Sequence, residues 1–577
     1  MVAVAEARAA RYRGATGGLR AEHWAAGAVA VVLLALIVPP ILVLLRNSVV
    51  IGERIGRTGT LSLDAYAEIL TSHELPALVG STIAFALGST IVGLILGGGL
   101  AWCAERTDAP FKQLAYAGIV VSFAVPGILR TIGWIFLLGP RTGAVNELFR
   151  AVTGSDGVLF DVFSFPAMVF VEGVFWIPLT FLLMSASFRA MDPSLEEAAA
   201  VSGANPAQAL RRITVGLAVP SVLAIVILTF IRGVQAFEVP LLLGVPAKIR
   251  VLTTEVYFSV HGKIVPEYSY ASAYGVLMVG FLAACIWLYA RATRNALRYA
   301  TITGKGYRPR ALPLGRWRWL AGAFIVGVVA LQFLPVIYLA FASFLPTFGL
   351  AGPVWEHLTL RNYERVLRNP DVLTSLRNSA VIGVSSATLV VVVGAVAAWV
   401  IIRARLRWRG LLDQLASLPL VFPGVVLGIA VLGLYIRSPI PVYGTIWIFV
   451  IAYVTSYIPF GLRYVHPGLL RIHPELEESA ALSGARWGAV FVRIVVPLLL
   501  PALVAAWMFV FLISIRELSV AALLWTSRST VIATTMLDLW QNGNVNQVSA
   551  FGTIVAALGV TFAIAAYRLG RRFGIQG

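Results

Sequence analysis

The sequence predicts an all-α polytopic membrane protein made of two tandem six-helix units, with about twelve transmembrane helices and both termini cytoplasmic. Three observations predict it. The chain has 577 residues, of which 59% are apolar and only 12% charged, whereas soluble domains run near ~25% charged. Its mean hydropathy is +0.85, too high for a soluble core, since single cores stop growing near ~250–300 residues. A segment from its first half recurs in its second.

A spanning helix needs roughly 20 apolar residues. Twelve stretches qualify, near 24–45, 76–102, 114–138, 163–187, 214–237, 269–290, 319–343, 378–402, 414–436, 442–462, 495–515 and 545–567. The runs are continuous rather than alternating with period two, which argues against a β-barrel. The stretch Trp24–Leu45 is long for a signal-peptide core and is read as a retained first span.

Charge orients these spans. The N-terminus, the loops after even-numbered spans and the C-terminus together hold 28 Lys/Arg and 11 Asp/Glu, a net of +17 out of +18 for the chain. Positive charge marks the cytoplasmic side. Because the excess follows topology and forms no basic domain, a nucleic-acid partner is not expected. The two cysteines, Cys103 and Cys285, give no disulfide framework. The six histidines lie at 23, 73, 261, 357, 466 and 473 without metal-ligand spacing, so no metal site is expected.

The repeat is specific. MDPSLEEAAAVSGANPAQALRRITVGLAVP (191–220) aligns without a gap to IHPELEESAALSGARWGAVFVRIVVPLLLP (472–501), at an offset of 281. Glu197 matches Glu478, Gly203 matches Gly484, and Ile213 matches Ile494. A second echo, SFAVPG (122–127) against LVFPG (420–424), has an offset of 297, so the first half carries about 16 extra residues, placed around 139–162. The organisation follows: a cytoplasmic tail 1–23, a first half 24–290, a linker 291–318, a second half 319–567 and a tail 568–577. The linker has eight basic residues and no acidic ones. Each half sets the repeated loop between its fourth and fifth spans, so the halves share one orientation. Asp192 can cap a short helix with Pro193 at its first position, Gly203 ends it where positive φ is cheap, and Asn205-Pro206 starts a second. Pro474 and Gly484 repeat this punctuation.

These loops resemble the EAA loops of ABC importer permeases, whose pattern is E-A-A-x3-G-x9-I-x-L-P. The first copy, within 189–216, has Glu197, Ala198, Ala199, Gly203 and Ile213, with Val215-Gly216 in place of Leu-Pro. The second, within 467–497, has Glu478, Ser479, Ala480, Gly484, Ile494 and Val496-Pro497. The resemblance covers both halves, and a fused pair of six-span units is similar to the ferric-iron permeases and also to the thiamine permeases. It implies that each loop docks on a cytoplasmic ABC ATPase dimer, that an extracytoplasmic binding protein delivers the cargo, and that the protein resides in a bacterial inner membrane. No P-loop is present: the Gly-Lys pairs 262–263 and 304–305 are followed by Ile264 and Gly306. The chain is therefore expected to be a transport subunit rather than an enzyme, with no cofactor of its own and with ATP used by its partner.

Ionisable groups at membrane depth are costly and are candidates for function. Arg130 and Glu172 interrupt the third and fourth spans; Arg232, Gln235 and Glu238 close the fifth, and Arg516 and Glu517 close the eleventh. Glu238 and Glu517 stand at nearly matching places. In the resembled family the fifth span of each half lines the pathway, which implies that these groups face it. The alternative for Glu238 and Glu517 is an interfacial anchor, and for Arg130 and Glu172 an interhelical ion pair or a bond to broken-helix carbonyls. Tyr453 and Tyr457 read as packing residues. Ferric iron is the expected cargo. Thiamine, a polyamine, a phosphonate, a sugar phosphate or an oxyanion stay open, and a twelve-span secondary transporter is the competing class.

Overall fold

The computed structural model describes residues 16–52, 59–190, 198–199, 201–203, 208, 215–293, 312–346, 357–404 and 406–572. In chain order the principal helices are α1 (Thr16–Ser48), α2 (Asp64–Thr71), α3 (Leu75–Arg106), α4 (Lys112–Ser122), α5 (Gly127–Leu138), α6 (Ala144–Thr153), α7 (Phe165–Ala190), α8 (Val215–Gln235), α9 (Leu252–His261) and α10 (Tyr268–Thr293). The second half supplies α11 (Arg318–Ala342), α12 (Arg361–Arg368), α13 (Pro370–Arg403), α14 (Arg409–Ser417), α15 (Gly424–Tyr435), α16 (Trp447–Arg471), α17 (Pro474–Leu482), α18 (Val496–Ile515), α19 (Ile532–Gln541) and α20 (Val545–Arg572). The only sheet among the described residues is a two-residue antiparallel pair, Val50–Ile51 with Thr60–Leu61.

Among the described residues nine helices are long and apolar enough to cross a membrane, and two bent helix pairs pass the same test when each is taken together. The fifth span, α8, has a shorter apolar stretch, Ser221–Gln235. The stretches read near 114–138 and 414–436 are bent in the structure: α4 and α5 meet at 111°, and α14 with its following turn meets α15 at 106°. Both breaks fall at the Pro-Gly echo. Pro126 (φ −56, ψ 142) and Pro423 (φ −58, ψ 146) adopt the same extended conformation. Proline cannot donate a helical N–H and disfavours helical geometry before it, so a long apolar run turns there.

The chain clusters into two units. Unit 1 holds Met1–Arg46, Thr374–Val531 and Ile564–Gly577; unit 2 holds Asn47–Leu373 and Ile532–Ala563. They are interleaved along the sequence, so the first span of each half is exchanged: α1 counts with unit 1 and α11 with unit 2.

Within unit 2, α3 and α7 pack so closely that a Cβ on Gly97 would lie 2.9 Å from the Ile177 carbonyl oxygen and from Thr180 Cβ. Within unit 1, α13 and α16 repeat the approach, and a Cβ on Gly394 would lie 2.8 Å from the Gly461 carbonyl carbon. Gly97 and Gly394 are 297 residues apart. Small residues let backbones touch where lipid supplies no hydrophobic drive for helix association. In unit 2 the end of the linker also docks. Leu312 donates its N–H to the Arg106 carbonyl (2.9 Å), and Leu314 donates to Asp108 Oδ1 (2.9 Å).

Prolines inside spans strip a hydrogen-bond donor from the carbonyl four residues earlier, and neighbouring helices replace it. Pro40 in α1 leaves the Leu36 carbonyl open; Thr455 Oγ1 of α16 lies 3.4 Å from it in unit 1. Pro178 in α7 leaves the Val174 carbonyl open; Gln332 Nε2 of α11 donates to it at 2.8 Å in unit 2.

Candidate functional site: paired loops and intramembrane carboxylates

The second loop copy begins at the end of α16. His473 caps α17 through its ring, accepting from the Glu475 N–H at 3.4 Å, and Pro474 takes the first helical position. Glu475 and Glu477 lie in the first turn, where the helix dipole favours them. The helix ends with the Ala485 N–H on the Ala480 carbonyl (3.1 Å) and the Gly484 N–H on the Ala481 carbonyl (3.0 Å). Gly484 has φ +84, so this is a glycine-dependent left-handed stop.

The first copy is described only in part. Glu197, Asp192, Pro193, Asn205, Pro206 and Ile213 lie outside the described residues. Ala198 and Ala199 are helical, and Gly203 has φ +84, the value found at Gly484. Ser202 donates through Oγ to the Ala198 carbonyl (2.8 Å), and Ser483 does the same to the Ser479 carbonyl (3.0 Å). The repeat is therefore conformational as well as sequential. One expectation needs correction. The segment after Gly484 is not a separate short helix: Trp487–Ile515 runs as one apolar helix. A π turn at Phe491–Val495 precedes Pro497, with the Val496 N–H reaching back to the Phe491 carbonyl. The wider turn accommodates a proline that lacks its own donor.

Glu478 and Ser479 are exposed and Ala480 is half-buried, so the matched positions present an accessible face. Glu477, one residue earlier, turns inward. Trp399 Nε1 donates to its Oε2 at 2.8 Å and Arg403 Nε to its Oε1 at 3.0 Å.

The intramembrane candidates form two arrangements, one in each unit. In unit 2, Glu238 lies against the helix break: a Cβ on Gly127 would sit 1.7 Å from Glu238 Oε2. In unit 1, a Cβ on Gly424 would meet Ser519 Cβ at 2.7 Å and Glu517 Oε1 at 3.3 Å. Each carboxylate thus approaches the start of a helix, where unpaired N–H groups and the dipole favour negative charge. Glu517 also accepts from Tyr457 Oη (2.8 Å) and from the Val520 N–H (3.1 Å), while Tyr453 Oη donates to its backbone carbonyl at 3.3 Å. Both tyrosines were expected to be packing residues; they pack and also hold Glu517. Arg516, beside it, is half-buried at the end of α18.

Arg130 and Glu172 are buried in unit 2. Arg130 stacks its guanidinium 4.0 Å above the Phe175 ring and donates to Gln332 Oε1 at 3.3 Å. Gln332 passes the contact on to the Val174 carbonyl. Arg130 is thus linked through Gln332 to the carbonyl that Pro178 leaves open in α7. Gln332 was missed in the sequence, although a lone amide inside the seventh apolar span was its signal. Arg232 donates to Gln235 Oε1 at 3.2 Å, one turn away on α8. Among the described residues no group of three or more His, Cys, Asp or Glu could hold a metal ion.

Long apolar helices and two loops stopped at a left-handed glycine define a multi-pass membrane protein. Residues 390–574 match the family model of the binding-protein-dependent transport system inner membrane component. The chain is 26% identical over 478 residues to the ferric transport system permease protein FbpB of Actinobacillus pleuropneumoniae, covering 81% of this chain and 66% of that one. It is 26% identical over 477 residues to the putative ferric transport system permease protein FbpB 1 of Haemophilus influenzae, covering 80% and 72%. It is 24% identical over 539 residues to the probable ABC transporter permease protein y4fN of Sinorhizobium fredii, covering 90% and 91%. The chain is thus similar over most of its length to ABC importer permeases, and the inner-membrane component family model matches its second half.

Proposed function

We propose that this chain forms the translocation pathway of an ATP-driven importer for ferric iron. A cytoplasmic ATPase dimer docks on its two Glu–Gly loops, and an extracytoplasmic binding protein delivers the cargo. The carrying observation is the pair of loops: Gly203 and Gly484 share φ +84, and Ser202 and Ser483 share one back-bond. Two copies of one exposed shape suit a partner that itself comes as two copies. ATP belongs to that partner, and the permease needs no cofactor. Iron is favoured by the two ferric permeases among its relatives.

Within this reading the pathway candidates divide. Glu238 and Glu517, with Arg232, Gln235 and Arg516 beside them, serve the cargo route. Arg130 and Glu172 instead hold the broken third span in place. A tight iron site in the route is not required, since a conduit that binds strongly does not release. The test is uptake of labelled ferric iron by vesicles containing the permease, its ATPase and its binding protein. Iron uptake that requires ATP supports the reading. ATP-dependent uptake of spermidine, thiamine or phosphate without iron uptake would leave the machinery and replace the cargo. Uptake driven by an ion gradient alone would make it a secondary transporter.

A further inference from the structure

The cytoplasmic end of α13 does more than terminate a span. Arg403 reaches three groups in unit 1: Glu477 Oε1 at 3.0 Å, the Leu469 carbonyl at 3.2 Å, and the Ile472 carbonyl. The two carbonyls belong to the last turn of α16 and to the residue that caps it. Arg403 therefore spans the corner where α16 turns into α17. Trp399, one turn earlier on α13, takes the other Glu477 oxygen. Its ring also packs edge-on against Trp487 (5.1 Å, 69°) and Phe491 (6.5 Å, 88°), both beyond Gly484. Both limbs of the loop are thus fastened to one helix.

The side chains of Arg403 and Glu477 are only 15% and 13% exposed. Exposed ion pairs contribute little and are easily exchanged for water, whereas removing one member of a buried pair strands a charge. The geometry is echoed in unit 2. Trp102 and Arg106 stand 297 residues before Trp399 and Arg403, and Phe188 stands 281 before Leu469. Arg106 Nη1 donates to the Phe188 carbonyl at 3.4 Å, as Arg403 does to Leu469. The Trp102 indole N–H is buried without a hydrogen-bond partner among the described residues. Glu196, the sequence counterpart of Glu477, lies outside them.

We propose that Trp399, Arg403 and Glu477 form a latch that ties the second coupling loop to α13, so that displacement of the loop moves this span. Glu477 faces the membrane helices and the neighbouring Glu478 faces the partner. These are positioning residues: they touch neither cargo nor nucleotide. The inference rests on the coupling-loop reading, so its test separates the two.

The variants Glu477→Gln, Arg403→Ala, Trp399→Phe and Glu478→Lys are reconstituted with the ATPase and binding protein. Retention of the ATPase subunit, ATP hydrolysis and uptake per ATP are measured. The latch predicts that Glu477→Gln and Arg403→Ala retain the ATPase subunit yet lose uptake per ATP by about tenfold, an ordinary size for coupling between sites. Trp399→Phe, which keeps the ring and removes the donor, loses less. Charge reversal in Arg403→Glu with Glu477→Arg restores part of the loss, which rescue of mere folding in an uncoupled protein would not do. Unchanged uptake per ATP in both Glu477→Gln and Trp399→Phe overturns the latch, whether or not Arg403→Ala inserts. Retained ATPase binding and uptake in Glu478→Lys overturn the coupling-loop reading instead.

Discussion

Gln332 gives the Val174 carbonyl the hydrogen bond that Pro178 cannot, at 2.8 Å, while its oxygen accepts from Arg130. One amide therefore joins three helices of unit 2, beside Pro178 of α7 and on α5, which follows the helix break. Gln332→Leu keeps the volume and removes both bonds. It is expected to cost about 1–3 kcal/mol, the usual penalty for orphaning buried polar groups. Thermal unfolding in detergent measures this, and a melting temperature equal to the parent's would show the bridge to be idle.

Gly203 and Gly484 occupy a backbone region that side chains enter at a cost of about 1–2 kcal/mol. Open space surrounds both, so the strain is purely conformational. Gly484→Val should reduce uptake without reducing the amount of inserted protein, and Gly484→Asn should be milder. Equal activity of the Val and Asn variants would show that the left-handed turn is not needed.

Gly127 and Glu238 cannot both keep their positions if residue 127 carries a Cβ. Gly127→Ala is expected to destabilise more than Gly424→Ala, whose nearest neighbours are farther. In the pair Gly127→Ala with Glu238→Ala the clash disappears, so the two costs should fail to add. Glu238→Ala alone should lower uptake more than expression. Additive costs would dissociate the carboxylate from the break, and unchanged uptake would make Glu238 an anchor only.

Tyr457 and Glu517 share a 2.8 Å hydrogen bond inside unit 1. Hydrogen bonds to charged groups contribute about 1.5–3 kcal/mol, so Tyr457→Phe should lower stability by that order. Glu517→Gln should make the further loss of the tyrosine hydroxyl smaller. A double-mutant cycle in detergent reads the coupling, and zero coupling energy would return Tyr457 to a packing role.

Much of this architecture is legible in the sequence. Continuous apolar runs locate the spans, and the offset of 281 residues locates both loops and their glycines. The Pro-Gly echo marks both helix breaks, yet hydropathy averages across it, because the residues on either side are equally apolar. Gln332, Tyr457 and the latch on Glu477 escape notice for another reason. Each acts on a carbonyl or carboxylate brought near only by packing, from 158, 60 and 74 residues away in the last case through Arg403. The choice between Glu477 and Glu478 is equally silent in sequence, since a helix turns adjacent glutamates to different faces.

The central claim is that the two loops couple an external ATPase to import. ATP-dependent uptake of ferric iron by the reconstituted transporter, with and without Glu197→Lys and Glu478→Lys together, tests it most directly. The double variant should insert normally, lose its hold on the ATPase and import nothing above background. Uptake at the parent's rate in that variant would contradict the account.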